Sequence, residues 1–369
     1  MKLRVKPEDF FVEELPSLEF KDSGKFAIFK VSKTNLTSFA AEKSLATRCN
    51  VSFKQIGFAG LKDSRARTIQ YYSVATDKPD CGVFEERQVK SELVGFLDEP
   101  LRTGDLKGNK FIIIVRDLSD EDVETAKRNL DFVKRGVPNY FDSQRFGSLK
   151  GVDGFIGKDV LNGDFESAVK KVIGGYTKSR LVYTLKTFVL AHWGDWKACA
   201  DEVRRLRLEK SAIGNIIFEL EQSGDFAKAF GRLFAGVRQL FFSAYQSFIW
   251  NECVKKLVGD GFKIPYRAGE LVFNPDWHDD GVFLTVAPDM PENEIVSEVL
   301  ASEGLSLDSF KTDQHIFIAR ERPLTFKPED FLFLPSDDEL HEGRKKAVVS
   351  FVLPKGSYAT IILKALFQQ

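Results

Sequence analysis

Across residues 1–147, β-branched and aromatic runs alternate with segments of helical period, and the pattern then turns helix-rich. Phe26–Val31 reads as a strand. Thr37 or Ser38 caps a helix that reaches Cys49, with Phe39, Leu45 and Cys49 on or near one face. Ile56–Ala59 is a short apolar run that breaks at Gly60, and Thr68–Val74 is β-branched and aromatic enough to be a strand. Phe111–Val115 is another. Ser119 and Asp122 form a capping box, after which Val123, Ala126, Leu130 and Val133 recur at helical spacing until Gly136 and Pro138 stop the helix. Strand–helix–strand alternation of this kind predicts an α/β unit.

Further on, helices are expected at 164–173, 197–208 and 236–258. The last carries Leu240, Phe241, Ala244, Phe248, Ile249 and Cys253, with Tyr245 and Trp250, and reads as a core helix. Residues 271–320 mix short strands with acidic helical turns. Ala347–Leu353 reads as a buried strand, followed by Pro354-Lys355-Gly356 and a final apolar segment. A length of 369 suggests two domains. If the late strand completes the N-terminal sheet, residues 1–147 and 321–369 form one domain and 148–320 an insertion. Lys-Pro-Glu-Asp-Phe occurs at 6–10 and 327–331. Proline and acids at a first helical turn account for both copies without a duplication.

A chain that is 43% hydrophobic and 29% charged has the balance of a soluble globular protein. No apolar run approaches the ~20 residues of a membrane-spanning helix, and the charged start does not read as a signal peptide. A cytoplasmic protein without membrane contact is expected. Cys49, Cys81, Cys199 and Cys253 are dispersed, with no CxxC pair and no histidine at ligand spacing, so neither a disulfide framework nor a metal site is expected. The net charge of −1 hides an asymmetry: residues 271–340 carry 4 Lys/Arg against 16 Asp/Glu, a net of −12, and the rest totals +11. A basic face that follows a phosphate backbone is compatible with this, as are ordinary solvated surfaces.

No phosphate loop, GxSxG elbow, HExxH or GxGxxG is present. The informative stretch is 57–74, Gly-Phe-Ala-Gly-Leu-Lys-Asp-Ser-Arg-Ala-Arg-Thr-Ile-Gln-Tyr-Tyr-Ser-Val. Asp63 follows a strand end and a glycine that lets the backbone turn sharply, beside Lys62, Arg65 and Arg67. Cations so close would keep a carboxylate ionised and attract phosphate. A turn aspartate bonding its own backbone fits the same letters.

The Gly-x-Ala-Gly-x-Lys-Asp loop at 57–63 resembles the signature of the TruD family of tRNA pseudouridine synthases. Further blocks are similar and in the same order: Lys6–Glu14, Leu106–Phe111, Val137–Gly147, Ser243–Asn251 and Leu353–Thr360. The resemblance implies a mixed, largely antiparallel sheet in a catalytic α/β (α+β) domain, with an inserted α/β domain. It makes Asp63 the catalytic aspartate, Phe111 the aromatic that stacks on the target uracil, and Asn109 its polar neighbour. The basic residue expected to hold the aspartate, a lysine in the family, is matched here by Arg4, with Lys2 and Lys6 close enough to compete. Lys62, Arg65 and Arg145 are candidate substrate contacts. Asn109 also fits a turn, Phe111 is one of 34 phenylalanines and fits a core position, and Arg145 fits an ion pair with an acid.

The implied reaction converts uridine, expected at position 13 in the D arm of tRNA, to pseudouridine by detaching the base and rejoining it through C5. It needs no cofactor and no metal. Asp63 would attack C1′ or C6, or take the C2′ proton. tRNA is the implied partner, and a monomer is the default. Two readings of other classes stand beside it: a catalytically silent RNA-binding or chaperone protein on the same fold, and a carboxylate hydrolase. The hydrolase needs two flanking carboxylates, and no acidic partner for Asp63 stands out.

Overall fold

The computed structural model describes residues 1–369, which divide into two compact units, Met1–Val137 with Phe326–Gln369 and Pro138–Thr325.

The alternating runs of the first unit form β1 (Phe10–Pro16), β2 (Phe26–Thr34), α1 (Ser38–Cys49), β3 (Ile56–Phe58), β4 (Arg67–Val74), β5 (Phe84–Glu86), β6 (Val89–Leu97) and β7 (Leu106–Leu118). Thr37 caps α1 by accepting the amide of Ala40. Ser119 and Asp122 close the expected capping box at α2 (Asp120–Arg128). The single helix anticipated there is two, because a second, α3 (Leu130–Arg135), begins after Asn129. The Asn129 side chain donates to the carbonyl of Leu366 at 3.0 Å.

Two-residue strands β8 (Val137–Pro138) and β13 (Thr325–Phe326) mark the passages out of and back into the first unit. Between them run α4 (Ile156–Leu161), α5 (Phe165–Gly174), α6 (Arg180–Ala191), α7 (Trp196–Arg205), α8 (Ala212–Ser223), α9 (Phe226–Gly231) and α10 (Ala235–Val258). There follow β9 (Phe262–Tyr266), β10 (Gly269–Phe273), β11 (Val282–Leu284), α11 (Glu294–Ser302) and β12 (Glu321–Pro323). The helices share one apolar core in which Phe230, Phe242 and Tyr245 are buried. β14 (Glu329–Asp337), β15 (Lys345–Pro354) and α12 (Ala359–Phe367) complete the first unit.

Nine strands make one sheet in the order β14-β15-β7-β1-β4-β2-β6-β5, with β3 on β4. Only β1 and β4 run parallel; every other pairing is antiparallel. The sheet is therefore mixed and largely antiparallel. Side chains alternate across it, so residues in register share a face. One row reads Phe351–Phe111–Val12–Thr68–Lys33 across β15, β7, β1, β4 and β2, and all five are buried. On that face α1 covers one end, burying Ala41, Leu45 and Ala46 against Phe29, Val31 and Tyr72. At the other end Phe367 of α12 packs edge-on to Phe333 at 6.2 Å. Each large side chain so buried contributes about 2 kcal/mol.

Three expectations need correction. Cys49 and Cys81 form a disulfide across a sequence separation of 32, bridging the end of α1 to the short helical turn Pro79–Gly82. Nothing in the spacing of the two residues announces it, because a fold, not a motif, brings them together. Pro7–Asp9 is a helical turn, whereas the second Lys-Pro-Glu-Asp-Phe copy enters strand β14 with Asp330 at φ 50°. Gly60 has an ordinary φ, and an added Cβ there would meet open space. The glycine that the loop requires is Gly57, where a Cβ would lie 2.3 Å from the carbonyl oxygen of Leu101.

Candidate active site

The Asp63 loop spans residues 59–66, between β3 and β4, and is tied down at several points. Gln70 donates to the carbonyl of Gly60 at 3.2 Å, and the amide of Lys62 donates to the hydroxyl of Ser38 at 3.0 Å. Ser38 in turn donates to Gln70 at 2.7 Å, and its carbonyl accepts the Tyr72 hydroxyl at 2.9 Å. The amide of Asn35 holds the carbonyl of Ala66. The start of α1 and the inner face of β4 thus fix the loop before any substrate arrives, which is the preorganisation that charge-based catalysis requires.

Arg4 reaches this loop from the N-terminal segment. Its Nη2 donates to Asp63 Oδ2 at 2.5 Å, and its guanidinium lies 4.2 Å from the centroid of the Phe10 ring. The backbone at Arg4 takes φ 58°, a left-handed conformation uncommon outside glycine. Arg4 Nε is buried and has no hydrogen-bond partner. The two side chains keep 32% and 26% of their surface exposed, so the pair is approachable from solvent. Lys2 instead bonds Asp117, and Lys6 is not paired with Asp63.

Beneath the loop, Lys33 donates to the carbonyls of Asp63 at 3.1 Å and Leu36 at 2.8 Å. Burial pushes its amine down to about 8, against the attraction of Asp63. Lys62, expected among substrate contacts, turns inward. Its Nζ lies 2.8 Å from Glu14 Oε2 and donates to Asn109 Oδ1 at 2.8 Å. Burial raises the Glu14 carboxyl above its usual range, and Lys62 opposes the rise. An ammonium only donates, so Asn109 must present its oxygen to Lys62, which leaves its NH2 for another acceptor.

Asn109 and Phe111 lie on the same face of β7, and Asn109 continues the strand rather than forming a turn. Gly108 before them is required, because a Cβ would lie 2.2 Å from the carbonyl oxygen of Leu353 on β15. Phe111 is 9% exposed, 6.4 Å from Phe10 in an edge contact and 5.6 Å from Phe351. Arg65 is exposed at the loop, and Arg67, also exposed, lies 5.7 Å from the Phe11 ring.

Arg145 belongs to the second unit. It donates through Nε to the Ser247 hydroxyl at 2.9 Å and lies 5.4 Å from the Phe141 ring. Around it, Trp250 donates to the carbonyl of Asn139, and Asn251 exchanges two bonds with the backbone of Phe141. The Val137–Gly147 and Ser243–Asn251 blocks therefore pack on one another. Tyr245 and Trp250 are core residues.

Sequence reasoning passed over Lys33 and Glu14. A signal existed for both: each sits at the buried parity of a strand, in step with Phe29 and Val31 on β2, and with Phe10 and Val12 on β1. A charge at an apolar parity position calls for a partner. No group of three His, Cys, Asp or Glu side chains is gathered as a metal site would need, and no helix is long and apolar enough to cross a membrane.

The family model described as tRNA pseudouridine synthase D (TruD) matches residues 1–286 and 282–366. The chain is 37% identical to "Probable tRNA pseudouridine synthase D 2" of Methanocaldococcus jannaschii, over all of this chain and 92% of that one. It is 31% identical to "tRNA pseudouridine synthase D" of Aquifex aeolicus, over all of this chain and 98% of that protein. Among solved structures, a TruD protein from Methanosarcina mazei matches with a TM-score of 0.73 at 25% identity, over 100% and 93% of the two chains. The loop, the strands that hold it and these likenesses agree: the chain belongs to the TruD family of tRNA pseudouridine synthases.

Proposed function

We propose that this enzyme isomerises uridine 13 in the D arm of tRNA to pseudouridine, with Asp63 as the catalytic group. The observation that carries the reading is the Arg4–Asp63 pair, a carboxylate held by a guanidinium on a clamped loop yet still open to solvent. Arginine offers a planar fork where lysine offers a point charge, so the holding role survives the change of residue. A negative oxygen at Asp63 serves each of the three routes, attack at C1′, attack at C6 or removal of the C2′ proton. The base must leave its stack to be reached, at a cost of a few kcal/mol that stacking on Phe111 partly offsets. Asn109, with its NH2 turned away from Lys62, is suited to donate to a uracil carbonyl. Lys62 acts behind it, while Arg65 and Arg145 are assigned to RNA phosphate. In this reading residues 1–147 and 321–369 form the catalytic domain and 148–320 the insertion.

The test is release of tritium from C5-labelled uridine in tRNA by wild type and Asp63→Asn. Release by wild type alone, with tRNA bound by both, is the expected result. Equal release by the two removes Asp63 from its role. Binding without release by either makes the protein a silent RNA binder.

A further inference from the structure

We infer that Lys33 is a positioning residue for catalysis, holding the Asp63 backbone in place while its positive charge attracts the carboxylate of the same residue. The inference rests on the reading of Asp63 given above. Lys33 ends the inward-facing series Ala27–Phe29–Val31–Lys33 on β2, whose first three members are core. It is 1% exposed, forms no ion pair, and spends its amine on the two carbonyls of Asp63 and Leu36. An ammonium buried without a bonded carboxylate is costly.

Tethering alone does not explain it. The same loop is already held at Gly60 by the neutral amide of Gln70, so a neutral donor is chemically sufficient for a carbonyl. What a neutral donor cannot supply is attraction for the Asp63 carboxylate, which in turn favours the charged form of Lys33. The charged groups facing Lys33 are few. Asp63 attracts it; Lys62, next along the loop, opposes it, with its amine directed to Glu14. Arg4 engages Asp63 at the carboxylate, and Lys33 engages it at the main chain. Across the sheet stand Thr68 and Val89, which carry no charge.

Steady-state pseudouridine formation on tRNA between pH 6 and 9.5 tests this with Lys33→Met and Lys33→Gln, and with Asp63→Asn in parallel. Wild-type kcat should fall above about pH 8, as the amine loses its proton. Lys33→Met should lower kcat at pH 7 by about 30-fold or more, approaching the ~100-fold scale of losing one preorganised electrostatic contact, with KM for tRNA within about threefold. Lys33→Gln, which can still hold a carbonyl but carries no charge, should lose about fivefold or more. Both variants should lack the decline near pH 8. Wild-type kcat in both variants, a change confined to KM, or a decline near pH 8 that persists in them overturns the inference. If Lys33→Met fails to fold, Lys33→Gln carries the same criteria alone. An active Asp63→Asn overturns the reading of Asp63 and this inference with it. An inactive one beside fully active Lys33 variants overturns this inference alone.

Discussion

Arg4 and Asp63, 59 residues apart in sequence, meet through a 2.5 Å bond that Arg4 makes from a left-handed backbone. Strain of that kind, ~1 kcal/mol or more, persists where the surrounding structure imposes it, often at a functional site. Arg4→Met should lower kcat by about 100-fold, the scale of losing one preorganised charge contact. Arg4→Lys should recover part of the loss, because a point charge reaches the carboxylate without the fork. Tritium release at saturating tRNA measures both; a fully active Arg4→Met would show that the pair is only structural.

Phe111 must serve two masters. It is packed between Phe10 and Phe351, so Phe111→Ala should cost about 3–5 kcal/mol in urea unfolding. Phe111→Leu keeps most of the volume and should cost less than ~1.5 kcal/mol. If the ring also stacks on the base, the leucine variant loses turnover while remaining stable and tRNA-bound. Full turnover in Phe111→Leu would assign the ring to packing alone.

Arg116 joins three parts of the chain, bonding Asp9, Asp338 and Glu339 at 2.9 to 3.0 Å, with Asp9 and Asp338 buried. Arg116→Met leaves those carboxylates without their cation and should cost about 3–5 kcal/mol. Burial alone would raise the Asp338 carboxyl. The amides of Asp117 and Leu340, His341 and Arg116 overcome this and hold it well below its usual range. A depressed folded-state value means stability that is present above the unfolded carboxyl's ~3.9 and lost as pH falls below it. Urea midpoints from pH 3 to 7 should drop at the acid end in wild type and less steeply in the variant.

The Cys49–Cys81 bridge closes a loop of sequence separation 32, for which chain entropy gives about 3–4 kcal/mol. Cys49→Ser should therefore unfold at a lower temperature than wild type, and reductant should bring wild type down to the same point. A melting temperature indifferent to reductant would contradict the bridge.

Lys33 should move stability and turnover in opposite directions at alkaline pH. Its folded value of about 8 lies below the ordinary lysine value of 10.5, so between these limits the unfolded chain holds more protons at this site. Stability from this group therefore rises with pH across that window. Wild type should therefore gain stability relative to Lys33→Met from pH 7.5 to 10; a constant difference would argue against a buried charged amine.

Much of this was legible wherever a periodic pattern ran without a competing signal. The residues of α1, α10 and β15 announce themselves by their apolar pattern, and α1 also by its Thr37 cap. After Ser119 the spacing of Val123, Ala126, Leu130 and Val133 predicts one helix because it keeps step across the break at Asn129, whose side chain donates to the carbonyl of Leu366, 237 residues on. Strand β14 hid behind a Pro-Glu-Asp turn signal that tertiary pairing with β15 overrides. At the site, Asp63 and Asn109 were visible as letters. The contacts that give them roles come from Arg4, Lys33, Lys62 and Glu14, which converge only when β1, β2, β4 and β7 align.

The buried row from Phe351 to Lys33 binds reactivity to strand alignment. Sliding β1, β2 or β7 by a single residue would exchange its inward and outward side chains, turning Glu14, Lys33 or Phe111 to the opposite face. A mis-paired chain could keep its hydrogen-bond count and still be inert. Counting turnovers per molecule would then report misregistered copies that spectroscopy of secondary structure passes as folded.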